Sequence, residues 1–240
     1  MNLTNDRSKK IIVALDVPSL EEARALVQKL KGHVGLFKIG KELFTSVGPG
    51  VVQAVREMGC EVFLDLKFHD IPNTVGAACA AATRLGVFMT NVHASGGKKM
   101  MIQAVQSAHK VAAETGKKPP LLLAVTVLTS LIEKDLKEVG VCAPVELQVE
   151  RLAALAKESG LDGVVASPQE IEAIRKKTGD HFVIVTPGVR PVWAAQGDQK
   201  RIMTPKEALD RGADYLVIGR PITAHPDPAE AAQKIIEEIA

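Results

Sequence analysis

Aromatic side chains are scarce. Phe, Trp and Tyr make up 3% of the 240 residues, with a single Trp and a single Tyr. A surface that reads nucleic acid by stacking bases on rings is not expected, and the core has to be built from Val, Leu, Ile and Ala. Cysteine is nearly as rare. Cys60, Cys79 and Cys142 are far apart and form no C-x-x-C, which argues against a disulfide framework and a zinc site and fits a reducing cytoplasm. Burial is the expected state of each thiol. Net charge is also small, +2 from 30 Lys+Arg against 28 Asp+Glu, so no one-signed field draws in a polyanion. Long apolar runs are missing: the longest, residues 121–128, is far short of the ~20 residues of a membrane helix. Residues 1–10 are polar, without the apolar stretch of a signal peptide. Membrane and nucleic-acid partners are therefore not expected, and a cytoplasmic location is.

What remains is ordinary globular composition, 46% apolar and 24% charged, arranged in a recurring unit. Residues 11–15 form a continuous apolar run ending at Asp16, as in a strand buried on both faces. Ser19 with Glu22 reads as a capping box, and Leu20, Ala23, Leu26, Val27 and Leu30 fall on one helical face. The unit repeats, with strands expected at 34–39, 61–67, 87–93, 121–128, 161–166, 182–186 and 215–218. Helices are expected at 49–58, 73–85, 97–115, 133–138, 145–158, 168–177, 205–211 and from 228 to the end. Eight strand–helix units predict an α/β protein, a (β/α)8 TIM barrel forming a single domain over residues 1–240. A doubly wound open sheet uses the same units, but it usually has fewer strands, and no G-x-G-x-x-G follows the first strand.

In such a barrel the chemistry sits at the C-terminal ends of the strands, where the charges of this chain gather: Asp16, Lys38, then Asp65, Lys67 and Asp70, His93, and Gly219-Arg220. Side chains alternate along a strand, so Asp65 and Lys67 point to the same side, with Lys38 reaching in from the neighbouring strand. Together with Asp70 this gives an expected Lys–Asp–Lys–Asp array in which each charge favours the ionised form of its neighbour. A lysine held protonated in a dry site is a good general acid. The bland counterpart is a structural salt-bridge network, although buried ion pairs are weak stabilisers. Gly219-Arg220 after the eighth strand suits a phosphate. The aperiodic segment 188–201, containing Arg190, Trp193 and Gln199, reads as a lid after the seventh strand. His93 reads as a packed histidine, His69 is expected to face away from Asp65 and Lys67, and Asp16 is a candidate contact for a ligand hydroxyl.

These segments together resemble the orotidine 5′-phosphate decarboxylase family over essentially the whole chain. The most specific is Asp65-Leu66-Lys67-Phe68-His69-Asp70-Ile71-Pro72-Asn73-Thr74, the D-x-K-x-x-D signature with its I-P-N-T continuation. Supporting segments are Ala14-Leu15-Asp16, Phe37-Lys38-Ile39-Gly40, Val92-His93-Ala94, Leu128-Thr129-Ser130, Thr186-Pro187-Gly188-Val189-Arg190, Gly197-Asp198-Gln199-Lys200-Arg201 and Gly219-Arg220-Pro221-Ile222.

The resemblance implies loss of CO₂ from orotidine 5′-monophosphate without a cofactor or metal, in a homodimer. Lys67 would protonate C6 of the pyrimidine, and Asp65 would lie against the substrate carboxylate. Lys38 and Asp16 would hold ribose hydroxyls, and Thr129 would contact the base. Arg190, Gln199, Gly219 and Arg220 would bind the phosphate, with Gln199 on the lid. Asp70 and Thr74 would reach across the subunit interface. Two other functions compete. Metal-dependent sugar-phosphate lyases of the same superfamily share the signature but place a glutamate metal ligand where this chain has Lys38. A non-catalytic phosphate-ligand sensor would have no use for the Asp65–Lys67–Asp70 set.

Overall fold

The computed structural model describes residues 6–194 and 203–240. A 3-10 turn, Asp6–Lys10, leads into β1 (Ile11–Ala14), α1 (Leu20–Leu30), β2 (Leu36–Gly40), α2 (Lys41–Val47), α3 (Gly50–Glu57), β3 (Glu61–Phe68), α4 (Pro72–Leu85) and β4 (Met89–His93). The second half runs α5 (Lys98–Thr115), β5 (Leu121–Val125), α6 (Glu133–Glu138), α7 (Val145–Glu158), β6 (Gly163–Val165), α8 (Ile171–Thr178), β7 (Val183–Pro187), α9 (Pro205–Asp210), β8 (Tyr215–Ile218), α10 (Arg220–Thr223) and α11 (Pro228–Glu238). The eight strands form a closed barrel in sequence order, and β8 pairs in parallel with β1. This is the (β/α)8 barrel that the repeating units predict.

The continuous apolar strands follow from two buried faces. One set of alternating residues, including Ile12, Leu36, Phe63, Met89, Leu123 and Val185, fills the barrel interior. The intervening set, including Ile11, Phe37, Val62, Val92, Val164 and Ile184, packs outward with the apolar faces of the helices. With few aromatics available, Phe37 and Phe63 are the largest of the fully buried side chains. Helix starts match their local signals: Ser19 Oγ accepts from Glu22 N–H at 3.2 Å, and Thr204 Oγ1 accepts from Glu207 N–H at 3.1 Å.

Where strand and chain patterns diverge, the cause is identifiable. The run 121–128 is strand only to Val125. Val127 and Leu128 line the cavity at the mouth of the barrel, so their apolarity serves a pocket wall. The short helices α2 and α10 carry no periodic signal in so few residues. Cys60 and Cys79 are buried as expected, and burial pushes the Cys79 thiol up to about 12. Cys142 is exposed, contrary to expectation; it lies between α6 and α7, outside the strand–helix layers.

The opposite face of the barrel is tied by polar groups at strand starts. Asp162 accepts from Leu122 N–H at 2.7 Å and Asp214 from Ile184 N–H at 2.8 Å. Arg175 pairs with Asp214 and donates to the carbonyls of Gly212 and Phe182. Between them the backbones of β6 and β7 approach so closely that a Cβ on Gly163 would lie 2.1 Å from the Val183 carbonyl oxygen. Gly163→Ala is therefore expected to destabilise the barrel by about 1–3 kcal/mol, the usual cost of overpacking. At ~2–4 °C per kcal/mol for a chain of this size, calorimetry should show a clear fall in Tm; an unchanged Tm would contradict the close approach.

Candidate active site

Four charged side chains from three adjacent strand ends meet above the interior layer. Register places them: Ala14 pairs with Lys38, Lys38 with Phe63, and Gly40 with Asp65. Lys38 Nζ lies 2.9 Å from Asp16 Oδ1 and 3.6 Å from Asp65 Oδ2. Lys67 Nζ lies 2.7 Å from Asp65 Oδ1. The result is a continuous chain, Asp16–Lys38–Asp65–Lys67, of alternating sign. Burial is uneven: the side chains of Lys38 and Asp65 are each 11% exposed, while that of Asp16 is 59% exposed. Gly40 makes room for this packing, since a Cβ there would lie 3.0 Å from Lys38 Nζ and 3.4 Å from Asp16 Oδ1.

Lys67 reaches Asp65 by an irregular route. It is the only non-glycine among the described residues with positive φ, at 52°, a conformation that ordinary side chains disfavour. The strand is bulged here. Leu64 pairs with Thr90 and Phe68 with Val92, so β3 spends twice as many residues as β4 over the same stretch. Bulges re-aim side chains near active sites. Simple alternation predicted the right neighbour for Lys67, but the path is a bulge and not a regular strand. The displaced Lys67 N–H donates to Asn91 Oδ1 at 2.8 Å, and Asn91 Nδ2 donates to Asp65 Oδ1 at 2.7 Å. Asn91 is fully buried. Sequence reasoning missed it, although an Asn inside a strand, two residues from His93, is a signal.

Lys38, Asp65, Lys67 and Thr129 face a cavity of about 210 Å³ whose remaining wall includes Val127, Leu128, Val165 and Pro187. One side is charged and the other apolar, as small-molecule sites commonly are. Gly219 borders the same region, because a Cβ there would lie 3.6 Å from the Ala14 Cβ and 4.0 Å from Asp16 Oδ2. Arg220 is exposed at the start of α10. Arg190 is half-buried, and its N–H donates to the Met203 carbonyl at 3.1 Å. Gln199 lies outside the described residues.

Asp70 does not reach this chain of charges within the single subunit. It is exposed beyond the end of β3, where its Oδ1 accepts from Ile71 N–H at 2.6 Å, and it enters no ion pair among the described residues. The chain has left the barrel by this point. Thr74 is likewise exposed, in the first turn of α4. The rings of His69 and His93 lie with centroids 5.5 Å apart, tilted by 40° to one another. Burial, then His69, Lys41 and Lys67, push the His93 imidazole down to about 4, against the pull of Asp65. Among the described residues no group of three or more His, Cys, Asp or Glu is placed to hold a metal ion.

A family model described as "Orotidine 5'-phosphate decarboxylase / HUMPS family" matches residues 9–235. The chain is 58% identical over 232 residues to a protein named orotidine 5'-phosphate decarboxylase from Syntrophotalea carbinolica, covering 97% of this chain and 95% of that one. It is 59% identical to the protein of the same name from Trichlorobacter lovleyi, covering 99% and 98%. Among solved structures, orotidine 5'-phosphate decarboxylase from Lactobacillus acidophilus superposes with a TM-score of 0.86 at 39% identity, covering 96% of this chain and 99% of that one.

The neutral His93 gives the fold a pH dependence. Between about 6.5 and about 4 the unfolded chain binds a proton at this imidazole that the folded chain does not. Stability present above pH 6.5 is thus lost as pH falls through that window. Urea midpoints at several pH values should fall less steeply for His93→Gln than for the parent; parallel curves would refute the assignment.

Proposed function

The chain belongs to the orotidine 5'-phosphate decarboxylase / HUMPS family, and from that premise we propose that it converts orotidine 5′-monophosphate to uridine 5′-monophosphate and CO₂, the closing step of pyrimidine nucleotide synthesis. The observation that carries the reading is the Lys67 ammonium, hydrogen-bonded to buried Asp65 at the wall of the cavity. Loss of CO₂ leaves an electron pair on C6 of the pyrimidine. Lys67 stabilises that pair as it forms and delivers a proton from Nζ, so that a C–H bond replaces the broken C–C bond. A fixed charge aimed at developing negative charge is electrostatic preorganisation, and no cofactor is needed to supply it.

Asp65 lies against the substrate carboxylate and holds Lys67 in place. Lys38 and Asp16 take ribose hydroxyls; Asp16, the exposed member of the chain, exchanges its solvent contacts for these. Thr129 contacts the base from the cavity wall. Arg190, Gln199, Gly219 and Arg220 bind the phosphate, whose binding energy orients the reacting ring. Residues 1–240 act as one catalytic domain and work as a homodimer in which Asp70 and Thr74 of the partner subunit complete the site. Their exposure, with Ile71 between them 67% exposed, supports this arrangement. The location is cytoplasmic, and no described helix is long and apolar enough to cross a membrane.

Lys67→Ala should lower turnover on the order of 10⁴-fold, from combined loss of acid and charge, while uridine 5′-monophosphate still binds. The loss of absorbance that accompanies decarboxylation measures this, and near-normal turnover would sink the role. Parent turnover should persist in excess EDTA; loss there would favour a metal-dependent lyase, and binding without turnover a sensor. Trp193 gives an independent readout. It packs edge-on to His225 at 5.8 Å with the Lys234 ammonium 5.8 Å from its ring. Its emission should change at saturating uridine 5′-monophosphate, and an unchanged spectrum would count against movement of that segment.

A further inference from the structure

Beyond the four charged residues, we propose that Asn91 is a positioning residue that holds Lys67 and Asp65 in reacting geometry. The inference rests on the decarboxylase reading of the site but concerns a residue that no part of that reading uses. Asn91 sits on β4 with its side chain turned into the barrel, fully buried. Its amide has one workable orientation. Oδ1 meets the N–H of Lys67 at 2.8 Å and Nδ2 meets the carboxylate of Asp65 at 2.7 Å. Turning the amide over would set a donor against a donor and an oxygen against an oxygen.

Each end of the amide does separate work. At the Oδ1 end it replaces a bond of the strand ladder. The bulge between Leu64 and Phe68 removes Lys67 from regular pairing with β4, and a buried N–H without a partner is costly. Asn91 satisfies that N–H while Lys67 stays in the left-handed conformation, φ 52°. Without the amide, relaxation of Lys67 to an ordinary strand conformation would carry its ammonium away from the cavity. At the Nδ2 end Asn91 gives Asp65 Oδ1 a second donor beside Lys67 Nζ. The carboxylate is thereby fixed with Oδ2 turned towards Lys38. One neutral side chain thus sets both the backbone of the acid and the rotamer of its partner.

Two substitutions test this in the full-length protein. Asn91→Ala removes both contacts, and kcat should fall ~100-fold, as for misplacement of a reacting group by about 1 Å, while affinity for uridine 5′-monophosphate changes little. Asn91→Asp keeps the shape but donates to Asp65 only while the new carboxyl is protonated. The charged groups around it are Asp65 and Lys67 on β3 and Lys38 on β2, and the titratable one on its own strand is the neutral imidazole of His93; β5 faces it with apolar Leu123. Two adjacent carboxyls share a proton that leaves at raised pH. The kcat of Asn91→Asp should therefore approach the parent value at low pH and fall as pH rises through an ionisation the parent lacks.

Parent-like kcat in Asn91→Ala would overturn the proposal. So would an Asn91→Asp profile parallel to the parent's, or equal losses of kcat and product affinity in both variants. Failure of Asn91→Asp to fold even at low pH would also overturn it, by assigning Asn91 to the barrel and not to the site. An inactive parent would instead reject the decarboxylase reading itself, so the two failures are distinguishable.

Discussion

A carboxylate inside a barrel is tolerable only if every lone pair aimed away from water finds a donor. Asp65 is that carboxylate, and the local structure is arranged around its needs. Oδ1 receives Lys67 Nζ and Asn91 Nδ2, and Oδ2 faces Lys38. The β2–β3 register brings Lys38 alongside, the missing side chain at Gly40 leaves space for its ammonium, and the β3 bulge turns Lys67 inward. Removal of any donor leaves a buried charge partly unpaired, which costs more than the intact cluster gains over an apolar one. The cluster is therefore a poor stabiliser but a sharply defined arrangement.

Burial also divides the labour along the chain of charges. Asp16 at one end is in contact with solvent, so hydroxyls of a bound ligand can displace water from it at little cost. Asp65, with its side chain 11% exposed, has little solvent contact to exchange and is held by its protein donors. The net charge of +2 conceals this. Two ammoniums and two carboxylates cancel in the sum, yet the field inside the cavity is set by their order, with the Lys67 ammonium and its Asp65 partner both at the wall.

The fold was legible because every strand–helix unit repeats the same message. Apolar runs buried on two faces, capping residues such as Ser19 and amphipathic helices agree with one another, and local agreement of this kind specifies one topology. Ends of elements were less legible, since apolarity has more than one use: Val127 and Leu128 look like strand and line a cavity. The charged residues could be found because lysine and aspartate at strand ends are costly without a purpose. Asn91 carries no charge to draw notice, and its importance depends on a bulge that the sequence of β3 does not announce. Asp70 lies past the reach of this pattern, because alternation predicts proximity only while the chain stays in the strand, and after Phe68 it does not.

Barrel closure links these local facts to the handling of a nucleotide. Pairing of β8 with β1 sets Gly219 beside Ala14 and Asp16, so the end of the last strand borders the start of the charged chain across the seam. A phosphate held near Gly219 and Arg220 would place its ribose at Asp16 and Lys38 and its base toward Lys67, following the strands in order from β8 to β3. The ligand then lies along the rim, with its gripping end and its reacting end on elements fixed to one another by continuous strand pairing. Binding energy collected at the phosphate can orient the base only if the frame between them does not yield. A closed sheet, with no free edge in its circuit of strands, is such a frame.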